Sequence, residues 1–199
     1  MSSGEEKAWH ILKGLSPEDV CRNAMVNYDA SAGAYLLKSF GMDICVDPEK
    51  TRIYSDAPEA GLLLDRLGYF SRLSILSYLT SAKNIPLSGR LVQTANLKGG
   101  QSFFRGTHAL PLDKLALKYC SDAKSFIKRG TDLGGMQTAF GDASLQLFPF
   151  PRIPVGLILW LEDEEFPART DLLFDSTCEF HLPLDILWST AMKSLLIML

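Results

Sequence analysis

Val155-Gly156-Leu157-Ile158-Leu159-Trp160-Leu161 is the stretch on which the fold turns. It is seven residues without a polar side chain, bounded by Pro154 and by the acidic Glu162. A run this short, rich in branched and aromatic residues, reads as a strand rather than a helix. A strand with no polar face is expected to be covered on both sides and so to lie inside its sheet. Before it comes Phe148-Pro149-Phe150-Pro151-Arg152-Ile153-Pro154, with three prolines. Proline fixes φ and removes a donor, so this segment is expected to interrupt the ladder. It is either a rigid pocket wall, with Arg152 as an anion contact, or a stiff lead into the strand, with Arg152 paired to the acidic loop.

Further outward, Ala143 to Phe148 and Leu172 to Phe174 read as strands beside the central one. Pro183 opens a terminal helix with Asp185 in its first turn. Pro58 to Ala82 is the longest helical candidate, apolar around most of its circumference and therefore expected to be buried. Tyr35 to Phe40, Asp43 to Val46 and Thr51 to Tyr54 form a second group of strands, an antiparallel meander because the connections are short. Helices are also expected over Glu5 to Lys13, from a Ser16 cap to Met25, over Pro111 to Tyr119, and from an Asp122 cap to Arg129 with Gly130 as the stop. No regular βαβ alternation appears. The expected fold class is α+β: a mainly antiparallel sheet with a long buried helix and a C-terminal helix packed on it, in one domain over residues 1–199.

The 199 residues are 47% hydrophobic and 22% charged, with a net charge of −3. That balance suits a chain able to bury a core without a metal or disulfide staple. A weakly acidic chain lacks the electrostatic footprint for phosphate backbones, so nucleic acid is not expected as a partner. The polar start, Met1 to Glu6, is unlike a signal peptide, and Asp185 and Lys193 interrupt the apolar C-terminal stretch. Neither a membrane nor a secretory route is expected, and the localisation expected is cytoplasmic. Cys21, Cys45, Cys120 and Cys178 show no C-x-x-C spacing, so free and mostly buried thiols are expected, with no zinc or iron–sulfur site.

Chemistry is sparsely signposted. Glu162-Asp163-Glu164-Glu165 repel one another and must be solvated, paired or coordinating a hard cation. Asp142 stands in a Gly141-Asp142 turn, and a hairpin after the loop is expected to bring Asp175 back beside it. The candidate ligand-binding residues are Asp142, Arg152, Trp160, Glu164, Glu165 and Asp175, without a resident metal. A solvated acidic loop is the alternative. His10, His108 and His181 have no metal-ligand spacing and are expected on helix surfaces or turns. Leu97-Lys98-Gly99-Gly100 resembles a backbone nest for anions but lacks the P-loop pattern.

Gly141-Asp142, Phe148 to Pro154, Trp160, Asp163-Glu164-Glu165-Phe166-Pro167 and Leu173-Phe174-Asp175, with Tyr28-Asp29 and Leu97 to Gly100, together resemble the domain of unknown function 3786 family. The tryptophan, acidic loop and Phe-Pro are its most specific part. The resemblance implies anaerobic bacteria and archaea, and a context of corrinoid or iron–sulfur one-carbon metabolism. The resemblance also implies that relatives are sometimes fused to iron–sulfur domains and that this chain, lacking the cysteine cluster, is expected to be a stand-alone form. The family offers no catalytic residues to carry over. The function expected is an accessory or ligand-binding domain, whose partner is a small molecule or a corrinoid or iron–sulfur protein. The alternative is a carboxylate-based, metal-assisted enzyme using the acidic loop. No particular cofactor is implied.

Overall fold

The computed structural model describes residues 3–199; Met1 and Ser2, part of the polar N-terminal reading, lie outside them. The chain opens with helices α1 (Ser3–Gly14) and α2 (Pro17–Ala24). Proline begins α2 where its missing N–H costs nothing, but the Ser16 side chain makes no capping bond. Strands β1 (Asn27–Asp29), β2 (Ala34–Ser39), β3 (Met42–Asp47) and β4 (Arg52–Tyr54) follow as a four-stranded antiparallel meander. The sequence indicated three of these; β1 is short and mostly exposed, without an alternating pattern to reveal it.

The long apolar stretch is not one helix. A π-helical turn over Leu62–Arg66 precedes α3 (Gly68–Ser81), and the Leu67 N–H reaches back five residues to the Leu62 carbonyl. Then come β5 (Leu91–Gln93), a short α4 (Gly100–Phe103), α5 (Leu112–Lys118) and α6 (Ala123–Asp132). Asp122 caps α6 by accepting from the Ser125 N–H, as expected. Gly130 does not end that helix: it lies inside it, where an added Cβ would collide with Leu145. The chain finishes with β6 (Met136–Thr138), β7 (Ala143–Phe150), β8 (Ile153–Trp160), β9 (Arg169–Asp175), α7 (Cys178–His181) and α8 (Leu184–Met198).

The second sheet is antiparallel in the order β5-β9-β8-β7-β6, so the apolar run is its middle strand. The architecture is α+β. The prolines do not stop the ladder. Pro149 and Pro154 sit within β7 and β8, and a bulge between Leu147 and Phe150 absorbs the irregularity. That bulge also joins the sheets, because the Phe40 N–H donates to the Phe148 carbonyl and Ser39 Oγ to the Pro149 carbonyl. Phe40 and Gly41 both have positive φ and make the tight β2–β3 turn. Gly41 packs against the backbone of Gly134, leaving no room for a Cβ on Gly134.

Val155, Leu157 and Leu159 of β8 point inward, with Leu145, Leu147, Leu172 and Phe174 beside them, into one cluster of buried residues shared with the helices and the first sheet. Tyr78 of α3 stacks on Phe150 at 4.5 Å. Both faces of β8 are buried from Ile153 to Leu159, as expected. On the face away from that cluster Gly156 floors a groove with Ile158 in its wall, so the continuous apolar run serves a core on one side and a concavity on the other. All four cysteines are free thiols; Cys178 is buried and the other three are half-buried.

Candidate functional site

The groove lies across β5, β9, β8 and β7 and encloses about 300 Å³. Leu87, Leu91, Phe140, Ile158 and Leu173 make its walls, with Gly156 at the floor. Register explains the opening. Gln146, Gly156 and Leu173 are direct cross-strand neighbours, so the row has a gap at its centre. Glycine in the interior of a strand weakens it by about 0.5–1 kcal/mol relative to alanine. Here neither backbone nor packing requires it. Gly156 is not among the residues with positive φ. An added Cβ would make only an ordinary contact, 3.7 Å from the Leu173 Cβ. A glycine without a structural reason, beneath an open concavity, is where another molecule can approach the backbone.

One wall is a strap, residues 82–90 between α3 and β5, without regular structure. Three buried polar side chains pin it. Asp175 accepts from the Ser88 N–H and Oγ, the Gly89 N–H, and the Thr177 N–H and Oγ1, over 2.7–3.2 Å. Burial pushes its carboxyl up, but the bonds from Thr177 and Ser88 outweigh this and leave it below the ordinary value. Arg152 donates to the carbonyls of Ile85, Asn23 and Arg22 and to Asn84 Oδ1. His181 Nδ1 accepts from the Lys83 N–H at 3.2 Å, which places the ring proton on Nε2, buried and without a partner among the described residues.

Burial, then the Arg152 charge, holds the His181 imidazole below the usual histidine value, against a smaller opposing effect of Asp175. The unfolded chain therefore binds the extra proton more readily, and this contribution to stability is lost as pH falls below about 6.5. Protonation also turns Nδ1 into a donor facing another donor. The Lys83 amide should lose its exchange protection on acidification before the β7–β8 amides do, as measured by hydrogen exchange corrected for intrinsic rates. Simultaneous loss at both places would show that the strap does not open by itself.

The residues singled out from sequence separate into three places. Asp142 and Trp160 meet at the far end of β8, beside a cleft of about 670 Å³ that also takes in Asp163, Phe166 and Arg169. There the carboxylates hold backbone and side chains in place. Asp142 accepts from the Leu161 N–H, Asp163 from the N–H groups of Glu165 and Phe166, and Asp171 from Trp160 Nε1. The Arg169 guanidinium lies 4.6 Å from the centre of the Trp160 ring. Glu164 and Glu165 are exposed.

Asp175 does not return to this loop. Arg169, not Asp175, pairs with Trp160, and β9 carries Asp175 away by about 20 Å at a strand rise of ~3.4 Å per residue. Arg152 is buried near Asp175's end and neither opposes nor pairs with the acidic loop. Among the described residues no group of three or more His, Cys, Asp or Glu could hold a metal ion. The nest at Lys98 is taken by the chain itself, its N–H donating to Glu179 at 2.7 Å. His181, expected at a surface or turn, is buried at the end of α7. Among the described residues no helix is long and apolar enough to cross a membrane.

Sequence reasoning passed over Gly156, although a glycine inside an apolar run is a visible signal. Gln146 and the strap gave none, since only strand register and tertiary packing bring them together. Residues 16–194 match the model of a family described as Domain of unknown function (DUF3786). No curated protein and no solved structure matches the chain.

Proposed function

We propose, for a chain that belongs to the Domain of unknown function (DUF3786) family, that it is a ligand-binding accessory domain and that the groove over Gly156 is its site. The carrying observation is the glycine at the centre of the middle strand, required by neither φ nor packing, beneath an apolar concavity of about 300 Å³. That volume is at the lower end of small-molecule sites, about 300–1,000 Å³. Among the described residues Asp175 is the only ionisable one in the lining, and both its oxygens are already engaged by the strap and Thr177. The occupant is therefore a neutral, mainly apolar molecule. The earlier resemblance supplies the setting to examine first: anaerobic one-carbon chemistry, with a corrinoid or iron–sulfur protein as the partner that delivers or receives the ligand.

Protein purified anaerobically should show a retained small molecule in its native mass spectrum. Gly156→Val should fill the floor and remove that molecule while leaving the circular dichroism spectrum unchanged. Gly156→Ala should raise stability by about 0.5–1 kcal/mol through the loss of glycine's unfolded-state freedom. Retention of the same molecule by Gly156→Val would place the site elsewhere.

A further inference from the structure

Resting on the groove as a binding site, we propose that it selects a neutral planar heterocycle with an adjacent hydrogen-bond donor and acceptor, read by the Gln146 side chain. Gln146 stands directly across from Gly156 on the same face of the sheet. Its side chain is half-buried and has no hydrogen-bond partner among the described residues. Because Gly156 has no side chain, the carboxamide borders bare backbone. A carboxamide presents an acceptor oxygen and donor N–H groups side by side. It pairs through two bonds with any edge offering the converse pair, as asparagine and glutamine do with the edge of adenine.

The other lining groups fix the rest of the ligand. Thr138 Oγ1 donates to Ser144 Oγ and so has no proton to offer. Asp175 is saturated, so no charge is free to hold an ion. The floor between Gln146 and Leu173 is the side-chain-free backbone of Gly156, and Phe140, half in solvent, supplies an aromatic wall. A flat ring between a bare strand and an aromatic wall uses this shape, and the lactam or amidine edge of such a ring meets Gln146. A flexible aliphatic chain would leave the carboxamide unpaired as the groove dries, which costs about 1–3 kcal/mol.

The test uses the intact chain and two probes of nearly the same shape: isoquinolinone, a bicyclic lactam, and its N-methyl derivative, which lacks the N–H. Dissociation constants come from NMR titration, following amides of β8 and β9. The lactam should bind the parent about tenfold more tightly than the methylated probe, the ratio expected for one good hydrogen bond. Gln146→Leu should abolish the ratio, whereas Gln146→Glu, which keeps the acceptor for the lactam N–H but loses the donor to the carbonyl, should weaken both probes and preserve the ratio. Gly156→Val should remove binding of both. Equal affinity of the two probes for the parent overturns the donor–acceptor reading and leaves the groove intact. If neither probe shifts groove amides, the groove reading falls, and this proposal with it.

Discussion

Replacing Arg152 with methionine should lower the melting temperature by about 10 °C. Arg152 is 7% exposed, and its side-chain partners are carbonyl oxygens and the Asn84 amide oxygen rather than a carboxylate. Two of the carbonyls, Arg22 and Asn23, belong to the last turn of α2, where helix carbonyls lack internal partners and the dipole is negative. Tyr78 completes the arrangement, donating its hydroxyl proton to the Ala24 carbonyl and accepting from the Arg152 N–H. One side chain therefore satisfies the end of α2 and anchors the strap at Asn84 and Ile85. Methionine fills similar space but withdraws the donors from these partly buried oxygens. Hydrogen bonds to a charged group contribute about 1.5–3 kcal/mol each, so losing two or more of this set costs about 3–5 kcal/mol. In a chain of this size each kcal/mol shifts melting by about 2–4 °C. Arg152→Lys should also destabilise, because a point charge with three donors cannot reproduce the planar fork. Calorimetry on the three proteins decides it; an Arg152→Lys variant that melts with the parent would show that charge alone suffices.

The second large effect has the opposite sign. Lys193→Met should stabilise the protein at neutral pH by about 1–4 kcal/mol, the range in which apolar residues improve on buried ionic groups. Lys193 of α8 is fully buried. Its Nζ lies 3.1 Å from Ser74 Oγ and 3.7 Å from the centre of the Phe150 ring, with Phe40 at 5.9 Å. Among the described residues no carboxylate pairs with it. Burial holds the amine well below the usual lysine value. The unfolded chain therefore binds a proton that the folded chain sheds, over the window from the folded value up to about 10.4. Within that window parent stability rises with pH, by at most ~1.4 kcal/mol per unit. Tyr35 and Cys178, both pushed up to about 12 by burial, act in the opposite direction at alkaline pH. The readout is therefore the difference between parent and Lys193→Met, followed by denaturant unfolding from pH 7 to 9. The variant's advantage should shrink as pH rises. A constant advantage would mean that Lys193 does not titrate in that range.

The two effects mark the limit of what a linear reading can supply. Arg152 invited a reading as an anion contact because its neighbours in sequence are prolines and apolar residues. Its partners come from α2 and the strap, more than 60 residues away in sequence. Lys193 served only as an argument against a membrane span, yet it is buried because α3 and β7 close over it. Asp175 was tied to the acidic loop on the assumption of a short hairpin. The register of β9 sends it to the other end of the sheet, where it holds the strap.

The sequence by itself determined that Val155 to Trp160 is a central strand and that the class is α+β, with helices around Leu112–Lys118, Ala123–Asp132 and Leu184–Met198. Those follow from local periodicity, turn residues and caps, which act over a few residues. Only the tertiary structure decided which face of β8 is core and which is groove, because Gly156 and Ile158 are apolar whichever way they point. It also decided that Gln146 faces a gap and that Asp142 and Asp163 hold backbone N–H groups, since strand register and local turns set partners that a linear reading does not supply.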